Sequence, residues 1–506
     1  MKLTSRILTL AAFSLAGYAS AQTPKNVILM ISDGQGFNTV KATEYWTGGQ
    51  ASYESSDFVK YSMQTNSANN PLGYNPTAMW SNFAYSMTGA TDSASAATAM
   101  YTGVKNYDGE VNWTTDDKPL TTVFEMAAAN GKSIGAVSSV QLSHATPAAV
   151  YGHNSSRNNY AAIGYEGVYG ANPVDGQVAN SGSNPLAGDN NNYNSNNYFG
   201  NMSVLMGAGS GSYTDNGVYN TATSDNFVGG TTAWSDITDG TAPNGWELVE
   251  TQSRFNAIAA GTSVPAKLLG VAQAATTLQQ GRSGYSPTDI PGSDAFNANV
   301  PTLATMTTAA LNVLGQDNDG FMVMIEGGAI DWANHANQGS RMIEEQMDFN
   351  ASVNAAISWI EANGGWTDNL LVVTADHETG HLWGSGTYTD TNSNGKYDSG
   401  IDTFNGYKQV VDNGDNSMPG IQWGSGDHTN TLVPLYARGA GSELFAANVI
   451  GTDADVDNMY GVDSAFNNYV DNTSIFNVIK GSTGVPEPSS ALLALVGGLF
   501  VLRRRR

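Results

Sequence analysis

Four short apolar runs limit what this chain can fold into more than any other feature. Residues 27–31 (VILMI), 134–140 (IGAVSSV), 321–325 (FMVMI) and 370–374 (LLVVT) have the length and composition of strands buried on both faces. Helical patterns lie between them. Residues 340–362 place Met342, Ile343, Gln346, Met347, Asn350, Val353, Ile357 and Ile360 close to a 3.6-residue period, and Asn363-Gly364-Gly365 closes the pattern. Buried strands alternating with helices predict an α/β fold with a mostly parallel central sheet flanked by helices.

The residues after each run carry the chemistry. Run 27–31 leads to Ser32-Asp33-Gly34, run 321–325 to Glu326 and then Asp331 and His335, and run 370–374 to Asp376-His377. The carboxyl ends of parallel strands are the ligand side of such sheets. One Asp after a strand is ordinarily a turn or a helix cap. Three strands that deliver three Asp, one Glu and two His to one edge form a metal-ligating set. Asp331 and His335 stand i, i+4, so one helical turn aims both at a single cation, whereas the adjacent Asp376 and His377 need a turn to do so. His428, in the Gly-rich stretch before the apolar run LVPLYA, offers a third imidazole. Imidazole with carboxylate favours zinc over calcium or magnesium, and the supply suffices for two transition-metal sites.

The stretch HETGH, His377 to His381, also has the spacing of a zinc-protease helix. Its surroundings argue otherwise. It follows a strand-like run, and Gly380, Gly384 and Gly386 penalise a helix.

Composition narrows the choices. The 506 residues include 21 Lys+Arg against 45 Asp+Glu, a formal charge of −24 that gives no reason to expect nucleic acid as a partner. There is no cysteine, so disulfides and thiolate ligands are excluded, and any transition-metal site must draw on carboxylates and six histidines. Residues 168–240 are rich in Asn, Gly, Ser and Tyr and read as a surface insertion. In TDSASAATAMYTG, Ser93 opens an Ala-rich helical run. Such a Ser is most often an N-cap, but a hydroxyl at a helix start also feels the positive end of the dipole, and a nearby Zn²⁺ would activate it further.

Both ends read as processing segments. Residues 1–21 have Lys2 and Arg6, an apolar run and Ala19-Ser20-Ala21, the layout of a secretory signal peptide. Residues 485–506 combine Pro486-Glu487-Pro488, an apolar run too short for a full membrane span and four terminal arginines, and resemble a PEP-CTERM sorting tail. That resemblance implies export by a Gram-negative-type cell to the periplasm, outer surface or extracellular matrix. It also implies transient membrane contact and removal of the tail by a sortase-like transpeptidase.

The segments ILMISDGQG, TDSASAATA, HATPAAVYGHNSSR, IEGGAIDWANH, TADHETG and GSGDHT are similar, in order and spacing, to the motifs of secreted metal-dependent alkaline phosphatases. The resemblance covers about 25–440 and more weakly reaches residue 480, so 22–480 is expected to be one phosphatase domain. It implies a phosphomonoesterase working at alkaline pH on small phosphate monoesters, with a phosphoserine intermediate on a site of two zinc ions and one magnesium. By the same resemblance, Ser93 is the nucleophile and Arg157 clamps two phosphate oxygens. Asp331, His335 and His428 hold the first zinc, and Asp33, Asp376 and His377 the second. Glu326 and Thr146 hold magnesium, with Asp33 bridging to it. His144 and Trp332 stand where many relatives carry Asp and Lys, which leaves the third site open to zinc and weakens phosphate retention. His153 is expected to be structural, while for His381 a place beside the ligands and a place at the surface stay open. A homodimer is left open. Sulfatase relatives use Cys, or Ser followed by Pro-x-Arg, and this chain has Ser93-Ala-Ser-Ala.

One motif stands apart. Within 388–404, Asp390, Asn392, Asn394, Gly395 and Asp398 resemble a calcium-binding loop, with oxygen groups at alternate positions and Gly at the turn. Ile401 occupies the place of the usual bidentate Glu. Two other functions therefore stay in view: a phosphodiesterase of the same superfamily, and a calcium-dependent surface protein.

Overall fold

The computed structural model describes residues 23–116, 118–170, 202–220, 224–242 and 245–483. The signal peptide and sorting tail expected from the sequence lie outside the described residues. Among those residues, eleven strands form one sheet. Its first eight in chain order are β1 (Asn26–Ser32), β2 (Val59–Gln64), β3 (Ser133–Gln141), β4 (Met202–Ala208), β5 (Glu247–Val249), β6 (Leu268–Val271), β7 (Phe321–Gly327) and β8 (Asn369–Thr374). Val433–Gly439, Val449–Thr452 and Asn468–Asp471 complete it. The block β8-β1-β7-β3-β4-β6-β5 is parallel throughout. Val433–Gly439 joins antiparallel between β8 and β2.

The four apolar runs are four of these strands, and they are central because they have no polar face to offer water. Along β1, Val27, Leu29 and Ile31 enter one core while Ile28 and Met30 enter the other. Helices cover both faces. Helix Gly339–Ala362, read from its period, buries Met342, Ile343, Phe349 and Val353 beside Ile28 and Met30. Helix Ser93–Thr102 buries Ala94, Ala97 and Met100 on the opposite side. Each fully buried Leu, Ile or Met contributes about 1.5–3 kcal/mol relative to exposure.

The expected insertion at 168–240 is corrected by β4. Met202–Ala208 is buried along its whole length between β3 and β6, so this part of the stretch belongs to the central sheet. Its apolar run, MSVLMGA, was hidden by the polar residues that precede it.

Register sets up the site. Ile31 of β1 pairs with Glu326 of β7 and with Thr374 of β8, and Ser138 of β3 pairs with Glu326. The residues that follow these strands therefore emerge side by side. Gly34, with φ +72°, turns the chain out of β1, and a Cβ there would lie 2.8 Å from the Asp331 Cα. Only glycine allows that approach.

Candidate active site

Four buried carboxylates converge at the carboxyl edge. Asp33 is wholly buried, and neither of its oxygens has a hydrogen-bond donor. Asp376 Oδ1 accepts from the amides of Gly34 (3.2 Å) and His377 (3.0 Å), while its Oδ2 has no donor. Glu326 Oε2 accepts from the Ser138 hydroxyl, and its Oε1 is orphaned. Thr146, in the short helix Ala145–Ala148, buries a hydroxyl with no partner. Burial, then Asp376, Asp331 and Glu326, push Asp33 well above the usual carboxyl range. Burial chiefly raises Glu326 to about 8 and Asp376 to about 6. Buried charge of one sign, with oxygens lacking donors, calls for a cation.

Beside it lies an imidazole pair. Asp331 and His335 belong to helix Ala329–His335, as their spacing predicts. His335 Nδ1 lies 2.6 Å from the Gly426 carbonyl and His428 Nδ1 lies 2.8 Å from the Thr91 carbonyl, so both Nδ1 atoms donate. Their Nε2 atoms then face each other at 3.0 Å as two lone pairs. Only a cation settles that contact. In its absence a proton does: burial opposes charge on His428, but Asp331 outweighs it and raises the ring to about 9. Asp331 completes the group, with Oδ2 3.4 Å from His335 Nε2 and Oδ1 3.5 Å from His428 Nε2. The Thr379 hydroxyl steadies it, donating to Oδ1 at 2.5 Å.

His377 lies between the two groups. Its Nε2 is 3.3 Å from Asp376 Oδ2 and 3.6 Å from Asp33 Oδ1, and its ring stacks on His428 with centroids 3.6 Å apart. One ligand atom each from Asp33, Asp376 and His377, and likewise from Asp331, His377 and His428, lie within 4.8 Å of one another. The residues fit two neighbouring cation sites.

Ser93 stands beside His377. Its Oγ is 3.1 Å from His377 Nε2. The cap of its helix is Asp92, whose carboxylate accepts from the Ser95 amide at 2.9 Å, so the Ser93 hydroxyl is not spent on capping. Asp92 Oδ2 also holds Arg157 Nη1 at 2.8 Å. Arg157 Nη2 lies 3.3 Å from His144 Nε2, so that nitrogen accepts, and His144 Nδ1 is buried without a partner. Burial and then Arg157 lower His144 to about 3, which leaves it a neutral imidazole. Trp332 meets the His144 ring edge-on, with centroids 5.6 Å apart. Ser93, His144, Arg157, Asp331, Trp332, His335 and His428 line an open cleft of about 890 Å³. Sequence patterns assign no place at this site to Thr91 or Thr379; Asp92 alone carries a signal, since Asp before an Ala-rich run is an N-cap pattern.

HETGH is not a helix. Glu378–Thr379 is a two-residue strand paired antiparallel with His428–Thr429, and that ribbon brings His428 to His377. Glu378 is buried, accepting from the Leu382 amide at 3.0 Å and from the Thr429 hydroxyl. His381 is buried as well, bonded to the Ser86 hydroxyl at 2.9 Å and packed on Phe83, neither at the surface nor among the ligands. His153 is structural, as expected: it sits between Glu125 and Glu166, 3.3 Å and 3.2 Å away, and anchors the loop that carries Arg157.

The candidate calcium loop is exposed and self-bonded. Asp398 Oδ2 accepts from the side-chain amides of Asn392 and Asn394, each at 2.7 Å, and Asp390 accepts from the amides of Asn394 and Gly395. The Tyr397 amide donates to the Gly424 carbonyl at 3.0 Å, which ties the loop to the segment bearing His428.

The chain is similar to known proteins. A family model described as Alkaline phosphatase matches residues 24–460. The chain is 26% identical to the alkaline phosphatase of Escherichia coli K12, over 88% of its own length and 87% of the relative's. It is also 26% identical to alkaline phosphatase 3 of Bacillus subtilis, over 85% and 87%. In fold it is similar to the alkaline phosphatase of the Antarctic bacterium TAB5, with a TM-score of 0.56 at 23% identity, covering 92% of this chain and 100% of that one. The Thermus thermophilus alkaline phosphatase gives a TM-score of 0.59 at 18% identity, covering 97% of this chain and 100% of that one. A mutant of the TAB5 enzyme is described with Mg bound in its M3 site.

Proposed function

The chain belongs to the alkaline phosphatase family and is a phosphatase enzyme; from that premise we propose that Ser93 is its nucleophile and small phosphate monoesters its substrates. The observation that carries this reading is the Ser93 hydroxyl, free of capping and 3.1 Å from His377, beside carboxylates whose buried oxygens lack donors.

In this reading Asp331, His335 and His428 hold one zinc, and Asp33, Asp376 and His377 hold another. Glu326 and Thr146 would hold magnesium, with Asp33 reaching it as well, and the imidazole of His144, two residues from Thr146, would let zinc compete there. The TAB5 mutant with Mg in M3 supports a third site. Bound cations supply positive charge where the attacking and leaving oxygens develop negative charge. The side chains do the rest. Ser93 Oγ, at the positive end of its helix, attacks phosphorus and releases the alcohol. Arg157, held by Asp92, orients two phosphoryl oxygens through its planar fork. Water then cleaves the phosphoserine, releasing phosphate and restoring Ser93. Metal analysis of the purified protein, paired with p-nitrophenyl phosphate and a diester analogue, tests the assignment. Faster cleavage of the diester would reverse the choice of substrate.

We further propose export, from the layout of residues 1–21 and 485–506. Secretion into the medium or periplasm, with loss of both segments by mass spectrometry, is the expected result.

Arg157→Lys is expected to raise KM roughly tenfold, the equivalent of one charge-assisted hydrogen bond. Glu378→Gln should leave KM near wild type, because Glu378 braces the ribbon and does not line the cleft. Loss of a peptidase activity in Glu378→Gln, with no phosphatase activity in the wild type, would overturn the ranking.

The loop around Asp390, Asn392, Asn394 and Asp398 is proposed to bind Ca²⁺ and to stabilise the His428 segment through Tyr397 without entering the chemistry. Binding to the native state alone contributes about 2.7 kcal/mol at a hundredfold excess over Kd. With zinc and magnesium fixed, calcium should raise the wild-type Tm and leave Asp390→Ala/Asp398→Ala unchanged. Equal responses would make the stretch a solvated turn.

A further inference from the structure

A second cavity, of about 350 Å³, lies behind the segment that carries Gln279 and Gln280. Gln279 lines this cavity, while Gln280 lines the catalytic cleft. Its walls include Phe296, Ala298 and Val300, and three carboxylates from helix Gly339–Ala362 reach it: Glu344, Glu345 and Asp348.

These carboxylates are not equivalent. Glu344 is neutralised, with Arg282 Nη2 at 2.6 Å and the Gly292 amide at 2.7 Å. Asp348 accepts from the Leu303 amide at 2.9 Å, at the start of the helix Leu303–Leu314, and among the described residues has no salt-bridge partner. Glu345 is 5% exposed, and its Oε1 has no hydrogen-bond partner. Among the described residues, no Lys, Arg or His lines the cavity. Carboxylates buried without a counter-charge are costly, and the cavity has room for what would relieve them.

We propose that this cavity binds a small organic ammonium, its nitrogen held between Glu345 and Asp348 and its short alkyl body against Phe296, Ala298 and Val300. Three features select that class. The charged groups that line it are all acidic, so the ligand is cationic. The volume is at the lower end for small-molecule sites and far exceeds a bare ion. The acids also do not converge as metal ligands: among the described residues, the groups that bring three ligand atoms within 4.8 Å both lie at the catalytic edge. Without a cation, burial and then Asp348 and Glu344 push the Glu345 carboxyl up to about 8, against the opposing pull of Arg282 and Arg341. Arg282 pairs with Glu344 and Arg341 with Asp294, each at 2.6 Å, and among the described residues neither donates a hydrogen bond to Glu345.

The test uses the metal-loaded protein, with propylammonium chloride as probe and 1-propanol as its uncharged counterpart. Propylammonium should raise Tm saturably and 1-propanol should not, and Glu345→Gln should weaken the calorimetric affinity roughly tenfold or more. An equal affinity in Glu345→Gln overturns the proposal. So does the absence of saturable binding, or a calcium response larger than the ammonium response that Glu345→Gln removes. Should Glu345→Gln not fold, the wild type decides. Its affinity for propylammonium should rise roughly tenfold between about pH 6.5 and about pH 9.5 as Glu345 ionises. A flat profile overturns the proposal.

Discussion

Ser93→Ala is expected to lower turnover of p-nitrophenyl phosphate by roughly 10³-fold or more, in the range that loss of an enzymic nucleophile costs. Folding and metal content should hold. Alanine is the best helix former, and the cap of this helix is Asp92. Among the described residues, the Ser93 hydroxyl is hydrogen-bonded to His377. The residual rate would come from water attacking a substrate still oriented by Arg157. Rapid-quench labelling should trap a phosphorylated wild type and an unlabelled variant. Full turnover in Ser93→Ala, or equal labelling of the two proteins, would remove Ser93 from the mechanism.

Stripping the metals should have the other large effect. Asp33, Glu326, Asp331 and Asp376 are buried at one edge, and several of their oxygens lack donors. Each cation at a hundredfold excess over its Kd contributes about 2.7 kcal/mol, and three together about 8 kcal/mol. Dialysis against a chelator should therefore abolish activity and lower Tm by several degrees, and zinc with magnesium should restore both. His428→Ala should reproduce part of the loss, with less zinc retained per chain. An unchanged Tm and full activity after metal analysis confirms removal would refute the assignment of these residues as ligands.

Much of the fold was legible because burial writes itself into strand composition. Runs 27–31, 134–140, 321–325 and 370–374 have no polar face, so each could only be interior, and each is a central strand. The Asp331–His335 pair was equally readable, since four residues make one helical turn. The stretch holding β4 was misread for a reason of averaging: seven buried residues, Met202–Ala208, follow a long Asn-rich segment that dominates local composition. Thr146 and Arg157 carried no signal of their own and were reached through the family resemblance alone.

By itself the sequence determined which strands are interior, which end of them gathers the candidate ligands, and that the surroundings of HETGH argue against a zinc-protease helix. Periodicity and composition are properties of neighbours along the chain, and these conclusions need nothing more. Only the tertiary structure decided which groups meet. The ribbon of Glu378–Thr379 with His428–Thr429 sets His428 against His377 and His335. The parallel register places Glu326 beside Ser138. These contacts join residues tens to hundreds of positions apart, and their geometry follows from how whole elements pack, which no local pattern encodes.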